Sequence, residues 1–216
     1  MDKKALAMQK IYWNAQHANY ERHEIKTDSW LDAFELTRSN LPIIDLGCGS
    51  GNNIPRLLET GRPVIPCDYS DLAIKNIRKN FPEIKRFECF DMTEGLPFPD
   101  NFTDLIIADL SLHYFSEKVT FQILAEIKRV LKADGTLLFR LNSMNDANYG
   151  AGIGEEVEKH YYFTGESSYK RFFDEEDIRH FWKDWNLEYL EERSLYRYDM
   201  PKSVWHGMAR KKNVEL

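Results

Sequence analysis

The run Ile43-Ile44-Asp45-Leu46 passes directly into Gly47, Gly49 and Gly51, and a helix-like segment comes next. No other stretch of the chain constrains the fold as tightly. A short apolar run ending in glycines reads as a strand, a tight turn and a helix N-terminus. Glycine is required where backbone passes through positive φ or must approach a ligand closely. The first turn of the helix offers free N–H groups and a partial positive charge. Asp45 adds a carboxylate at the carboxyl end of the strand. The dinucleotide fingerprint G-x-G-x-x-G fails here, because Asn52 holds the third glycine position and the extra glycine comes one residue early, at Gly51. A phosphate loop ending in Gly-Lys-Ser/Thr is absent. The alternative, a turn that binds nothing, is weakened by the acidic residues at later strand ends.

Residues 2–20 are polar with interleaved Ile11, Tyr12, Trp13, His17 and Tyr20, and Trp30 lies further on. Residues 1–40 read as a helical lid or cap whose tryptophans either cover a sheet edge or close on a ligand. Residues 41–216 read as the main domain. Pro55 is tolerated only in a first helical turn, so a helix over 53–59 begins at the glycines. Val64 to Cys67 is a second strand. It ends at Asp68-Tyr69, with Ser70 or Asp71 capping the next helix. Asp68 lies 23 residues after Asp45, an offset at which a carboxylate can accept from a ribose diol; the competing role is a helix cap. A third strand, Lys85 to Phe90, ends at Asp91-Met92. A fourth, Asp104 to Ala108, is apolar enough to be buried on both faces and ends at Asp109-Leu110. Ile123, Leu124, Ile127, Val130 and Leu131 mark an amphipathic helix stopped by Ala133-Asp134-Gly135, and Thr136 to Leu141 is the fifth strand. The stretch 142–173 carries a second glycine cluster and many aromatics and reads as a substrate lid. Asp174, with Asp177 three residues on, opens a further helix. Strands over 186–198 and 204–209 close the chain.

The ordered set D-x-G-x-G-x-G at Asp45, Asp68, Asp91 followed by Leu-Pro-Phe-Pro-Asp, and Asp109 resembles the class I S-adenosylmethionine (SAM)-dependent methyltransferases. The likeness is strong over Ile43 to Leu141 and weak over the last 40 residues. It implies an α/β, Rossmann-like, doubly wound seven-stranded sheet. Strands 1–5 would be parallel and strands 6–7 a C-terminal hairpin with one antiparallel strand. It implies SAM as cofactor and S-adenosylhomocysteine as product. Asp45 and the glycine loop with Gly47, Gly49 and Gly51 would hold the methionine end and Asp68 the ribose, with Cys48, Asn53 and Tyr69 as further cofactor contacts. Asp91 and the Met92 N–H would take the adenine, while Asp109, Leu110 and Trp13 complete the cofactor site.

Methyl transfer from a sulfonium needs alignment more than an enzyme nucleophile. A base helps only if the acceptor must lose a proton. His113, in Ser111-Leu112-His113-Tyr114-Phe115, is the candidate base; its other role is packing on the cofactor. Tyr12, Tyr149, Tyr161 and Arg171 are candidate acceptor contacts. The Pro-Pro element usual in nucleic-acid amino methyltransferases is missing after the fourth strand. The net charge is −6, which disfavours a protein that tracks phosphates. The expected acceptor is therefore a small molecule, with nucleic acid disfavoured; an RNA or protein acceptor, or cofactor binding without catalysis, are the alternatives. Cys48, Cys67 and Cys89 have no zinc spacing and read as buried reduced thiols, so no metal is expected. With no signal peptide and no apolar run near about 18 residues, a cytoplasmic protein is expected.

Overall fold

The computed structural model describes residues 11–15, 18, 25–165 and 168–212. Residues 1–10, 16, 17 and 19–24 of the expected N-terminal cap, His17 and Tyr20 among them, lie outside the described residues. The described parts of that cap include a helical turn at 11–15 and a 3-10 turn at Trp30–Ala33. The core of the fold is a seven-stranded sheet. Its parallel strands are β1 (Ile43–Leu46), β2 (Val64–Asp68), β3 (Glu88–Cys89), β4 (Thr103–Asp109) and β5 (Leu131–Asn142). β10 (Lys202–Lys211) runs antiparallel to both β5 and β9 (Trp185–Leu195). The order is β3-β2-β1-β4-β5-β10-β9. The chain winds outward in one direction from β1 and in the other from β4. The crevice at their carboxyl ends is the switch point where ligands settle in such sheets.

Three helices begin where the sequence supplies a cap or a tolerated proline. Helix α1 (Ile54–Leu58) carries Pro55 in its first turn. Helix α2 (Asp71–Asn80) is capped by Ser70, whose Oγ accepts from the Ala73 N–H at 3.2 Å. Helix α3 (Glu117–Val130) ends earlier than its apolar pattern suggested, and Asp134 takes a left-handed φ of 58° near the start of β5. Helix α4 (Glu175–Phe181) has the full capping box between Asp174 and Asp177. Apolar side chains from both sheet faces fill separate cores. One packs α3 and α4 on the sheet through Ile123, Ile127, Phe139, Phe181 and Trp182. On the opposite face Trp30, Leu31, Leu36, Ile43 and Leu57 are joined. Trp30 is therefore core, not flap.

Two expectations change, and a third region gains detail. The third strand shortens from six residues to Glu88–Cys89, because only Cys67 and Asp68 offer it ladder partners. At this thin edge Cys89 is exposed, unlike the buried Cys48 and Cys67. The 142–173 stretch, expected as a substrate lid, has strands of its own. It contains an antiparallel three-stranded sheet of β6 (Glu155–Glu158), β7 (Tyr161–Phe163) and β8 (Tyr169–Arg171). Among the described residues no helix is long and apolar enough to cross a membrane.

Phe139 locks the C-terminal hairpin onto the sheet. Its ring stacks on Trp182 at 4.3 Å and covers Gly207, its partner across the β5–β10 ladder. A Cβ on Gly207 would lie 2.1 Å from the Phe139 ring. The ring is fully buried and has no room to retreat. Gly207→Ala should therefore lower unfolding free energy by about 1–3 kcal/mol, read as a lower midpoint in urea; an unchanged midpoint would mean that this core yields freely.

Candidate active site

A cavity of about 340 Å³ opens at the switch point. Its first wall is the glycine turn, where Gly47, Cys48 and Gly49 line the space. Gly47 has φ +76°, and a Cβ there would meet Ser111 Cβ at 2.3 Å, so the backbone lies bare by necessity. The Gly49 N–H donates to Asp68 Oδ2 at 2.8 Å, and the Ser70 N–H donates to Asp68 Oδ1 at 2.8 Å. Asp68 thus braces the turn from the end of β2 while facing the cavity. Tyr69, Asp91, Met92 and Asn53 line the same end. Gly51 lies outside the lining, and its φ of +80° serves the turn itself.

Asp45 sits behind this wall, fully buried. Trp30 Nε1 donates to Asn53 Oδ1 at 2.9 Å, and Asn53 Nδ2 approaches Asp45 Oδ1 at 3.4 Å. Asp45 Oδ2 has no partner among the described residues. Burial, reinforced by the Asp109 charge, pushes the Asp45 carboxyl up to about 7.

Asp109 lines the cavity but is already engaged. Arg140 clamps it with Nε and Nη2, each at 2.7 Å, and Arg197 Nη1 donates to it at 2.9 Å. Burial alone would raise its pKa, but the two guanidiniums hold it well below the usual carboxylate range. Leu110 comes next with a left-handed φ of 54°, its N–H donating to the Arg140 carbonyl at 3.0 Å. This strained backbone directs the next residues across the cavity.

The opposite end carries His113, Tyr114, Asn142, Tyr149, Lys170, Arg197, Tyr198 and Lys202. Trp13 also lines the cavity and meets Tyr114 edge-on at 5.1 Å, and Tyr12, outside the lining, packs on Trp13 at 5.3 Å. Lys202 Nζ donates to Asp146 Oδ2 at 2.6 Å and lies 4.5 Å from the centre of the Tyr149 ring. Burial holds Lys170 below its ordinary pKa. Burial, with Lys202 and Lys170 nearby, drives His113 well below its ordinary value, so the imidazole is neutral at pH 7.

Tyr161 and Arg171 are not brought to the cavity. The Tyr161 hydroxyl donates to the Tyr114 carbonyl at 3.0 Å. Arg171 donates to the Lys159 carbonyl at 2.6 Å, pairs with Glu158, and covers the Tyr161 ring at 4.8 Å. It tightens the small sheet. The residues missed in the sequence are Asn142, Lys170, Arg197, Tyr198 and Lys202. Lys170 adjoins Arg171, and strand alternation decides which of the two meets the cavity. His160, Asp174 and Asp177 bring ligand-type atoms within 4.8 Å of one another. That cluster is the helix cap of α4, with Lys159 Nζ 3.1 Å from Asp177.

A doubly wound sheet with a bare glycine turn and strand-end carboxylates around one crevice has the architecture of a nucleoside-cofactor-dependent transferase. A family profile described as a methyltransferase domain matches residues 44–139. Residues 44–139 thus carry a methyltransferase domain, and the match supports the class I SAM-dependent type. The crevice fits that cofactor, with the bare backbone of the glycine turn, Asp68 and Asp91 on the wall, and the unpartnered buried oxygen of Asp45 behind it. The chain is 35% identical over 149 residues to the tRNA N(3)-methylcytidine methyltransferase Mettl2 of Drosophila melanogaster, covering 63% of this chain and 46% of that protein. It is 26% identical over 159 residues to human tRNA N(3)-cytidine methyltransferase METTL2B, covering 68% and 42%. The chain thus spans about half the length of these curated relatives. Among solved structures it superposes with TM-score 0.70 on the 1,6-didemethyltoxoflavin-N1-methyltransferase of Burkholderia thailandensis, at 17% identity, covering 97% and 90% of the two chains. That likeness concerns the fold.

The tRNA-directed relatives overturn the expectation of a small-molecule acceptor with nucleic acid disfavoured. Two arguments had led there. Net charge averages the whole surface, whereas Lys170, Arg197 and Lys202 concentrate cations at one end of the cavity. The missing Pro-Pro element concerns exocyclic amines, whose lone pair is delocalised. A ring nitrogen such as cytosine N3 has an in-plane lone pair and does not need that activation.

The raised pKa of Asp45 has a definite linkage sign. Between its unfolded value of 3.8 and about 7 the folded state binds the extra proton, so this group's contribution to stability falls as pH rises through that window. Without cofactor, Asp45→Asn should be more stable than wild type at pH 8, and the difference should vanish near pH 4. Thermal unfolding across pH measures it; a parallel pH profile for the two proteins would refute the assignment.

Proposed function

We propose that this chain methylates N3 of a cytidine in a structured RNA of the tRNA type. The observation that carries the reading is the acceptor end of the cavity, where Tyr149 and Tyr198, 5.6 Å apart, stand beside Lys170, Arg197 and Lys202. Flat aromatic faces suit an unstacked base, and cations beside them suit the flanking phosphates. An enzyme acting on a base must take it out of its stack into such a pocket. The relatives' activity supports the same choice.

When bound, SAM supplies a methyl group on a sulfonium whose carbon–sulfur electron pair leaves with sulfur as positive charge passes to the acceptor. Gly47, Cys48 and Gly49 would hold the methionine end through backbone groups, with Gly51 and Asn53 shaping the turn and Asp45 countering positive charge from behind. Asp68 and Tyr69 would hold the ribose, Asp91 and Met92 the adenine, with Trp13 closing over the cofactor. Asp109 and Leu110 position the floor through Arg140. Cytosine N3 carries no proton at neutral pH, so no base is required. His113 therefore serves as a neutral wall against which the base is aligned, and Tyr149 as a stacking face.

The test is labelled-methyl transfer from SAM into unmodified tRNA transcripts, with nucleoside analysis of the product. Label in N3-methylcytidine supports the reading; no label in any RNA sinks it. His113→Gln should retain activity within about tenfold, whereas removing a required general base typically costs about 10²–10⁴-fold.

A further inference from the structure

Asn142 ends β5 at the cavity wall and is 1% exposed. Its backbone is fixed on both sides, by the ladder to Val204 and by the Phe173 N–H, which donates to its carbonyl at 2.8 Å. Its side-chain oxygen has no donor among the described residues. His113, also on the wall and 3% exposed, has an equally unpartnered Nδ1. Its carbonyl accepts from the Arg171 N–H at 2.7 Å, so this residue too is held in place. A buried carbonyl oxygen without a donor is costly and uncommon in a settled interior. Two unpartnered atoms on one cavity wall mark a socket that a ligand completes.

The ligand must bring an N–H to Asn142. In cytosine the exocyclic amine is such a donor and lies directly beside N3. We propose that Asn142 reads the target base: its Oδ1 accepts from the exocyclic amine, which turns N3 toward the methyl donor. Uracil presents an oxygen at the same place and a proton on N3, so it is refused twice. The assignment rests on the reading of the chain as an RNA cytidine methyltransferase, and it adds which residue selects the base.

The experiment is a cycle with one change on each partner. Wild type and Asn142→Leu are compared on a tRNA transcript and on the same RNA with the target's exocyclic amine replaced by hydrogen, which keeps the N3 lone pair. Deleting the amine also alters the intrinsic reactivity of N3, but equally for both proteins, so it cancels. Asn142→Leu should lower kcat/KM for the natural RNA by about ten- to a hundredfold, the range for a buried hydrogen bond that aligns substrate. On the amine-free RNA the two proteins should differ by less than about threefold. Affinity for S-adenosylhomocysteine should not change. The melting temperature should hold or rise, since an unpartnered polar group is removed. Equal activity of the two proteins on natural RNA, or losses that multiply, would overturn the assignment while leaving the cytidine activity in place. Wild type that transfers no methyl to RNA would overturn both.

Discussion

Arg140 is fully buried, and its guanidinium binds Asp109 with two hydrogen bonds and Asp28 with a third at 2.8 Å. Arg197 joins the same carboxylate from the loop between β9 and β10. This network holds four distant parts of the chain at one point: the lead-in before the sheet, the end of β4, strand β5 and the C-terminal hairpin. The Trp30 ring lies 4.6 Å from the Arg140 guanidinium and also bonds Asn53 beneath the glycine turn. Both ends of the cavity are referred to this one cation. Breaking a buried ion pair by removing one member leaves a charge without compensation and typically costs about 3–5 kcal/mol. The lead-in is thereby coupled to the cofactor wall, although 112 residues separate Asp28 from Arg140.

The network also divides the cavity electrically. Asp45, Asp68 and Asp91 surround the glycine turn and suit a cationic sulfonium. Lys170, Arg197 and Lys202 stand at the other end. Asp109 lies between, and its two arginine partners keep it ionised. An Asp at the end of β4 reads as a cofactor contact in the sequence because its position at the switch point is right. Its partners, Arg140 and Arg197, lie 31 and 88 residues away, and no local pattern announces them.

Legibility in the sequence has the same division. β1, the glycine turn, the strand-end carboxylates and the capped helices are local features, set by periodicity, capping and turn chemistry, and they stand where the residues placed them. The acceptor end is assembled from β5, β8 and the β9–β10 loop, which meet only through long-range pairing. The choice of Arg171 over Lys170 shows the limit sharply. In a three-residue strand the register decides which neighbour faces the cavity, and one step reverses the answer. Asn142 was hidden differently. It reads as the first residue of a loop, whereas the ladder to β10 extends the strand through it. Only the paired strand makes its oxygen an unpartnered group.

Charge compensation at the acceptor end bears on the proposed chemistry. Methylation of cytosine N3 leaves a cationic base, so a wall of uncompensated cations would oppose the reaction. Lys202 is matched by Asp146, and Arg197 by Asp109 and, at 3.7 Å, by Asp28. His113 is held neutral and adds nothing. Lys170 has no carboxylate within ion-pair distance among the described residues, and burial already weakens its hold on a proton. In the proposed complex the phosphate flanking the target base meets this lysine. The RNA backbone would then add countercharge to that of Asp146 as the base becomes positive, and a free nucleoside, lacking that phosphate, would arrive without it.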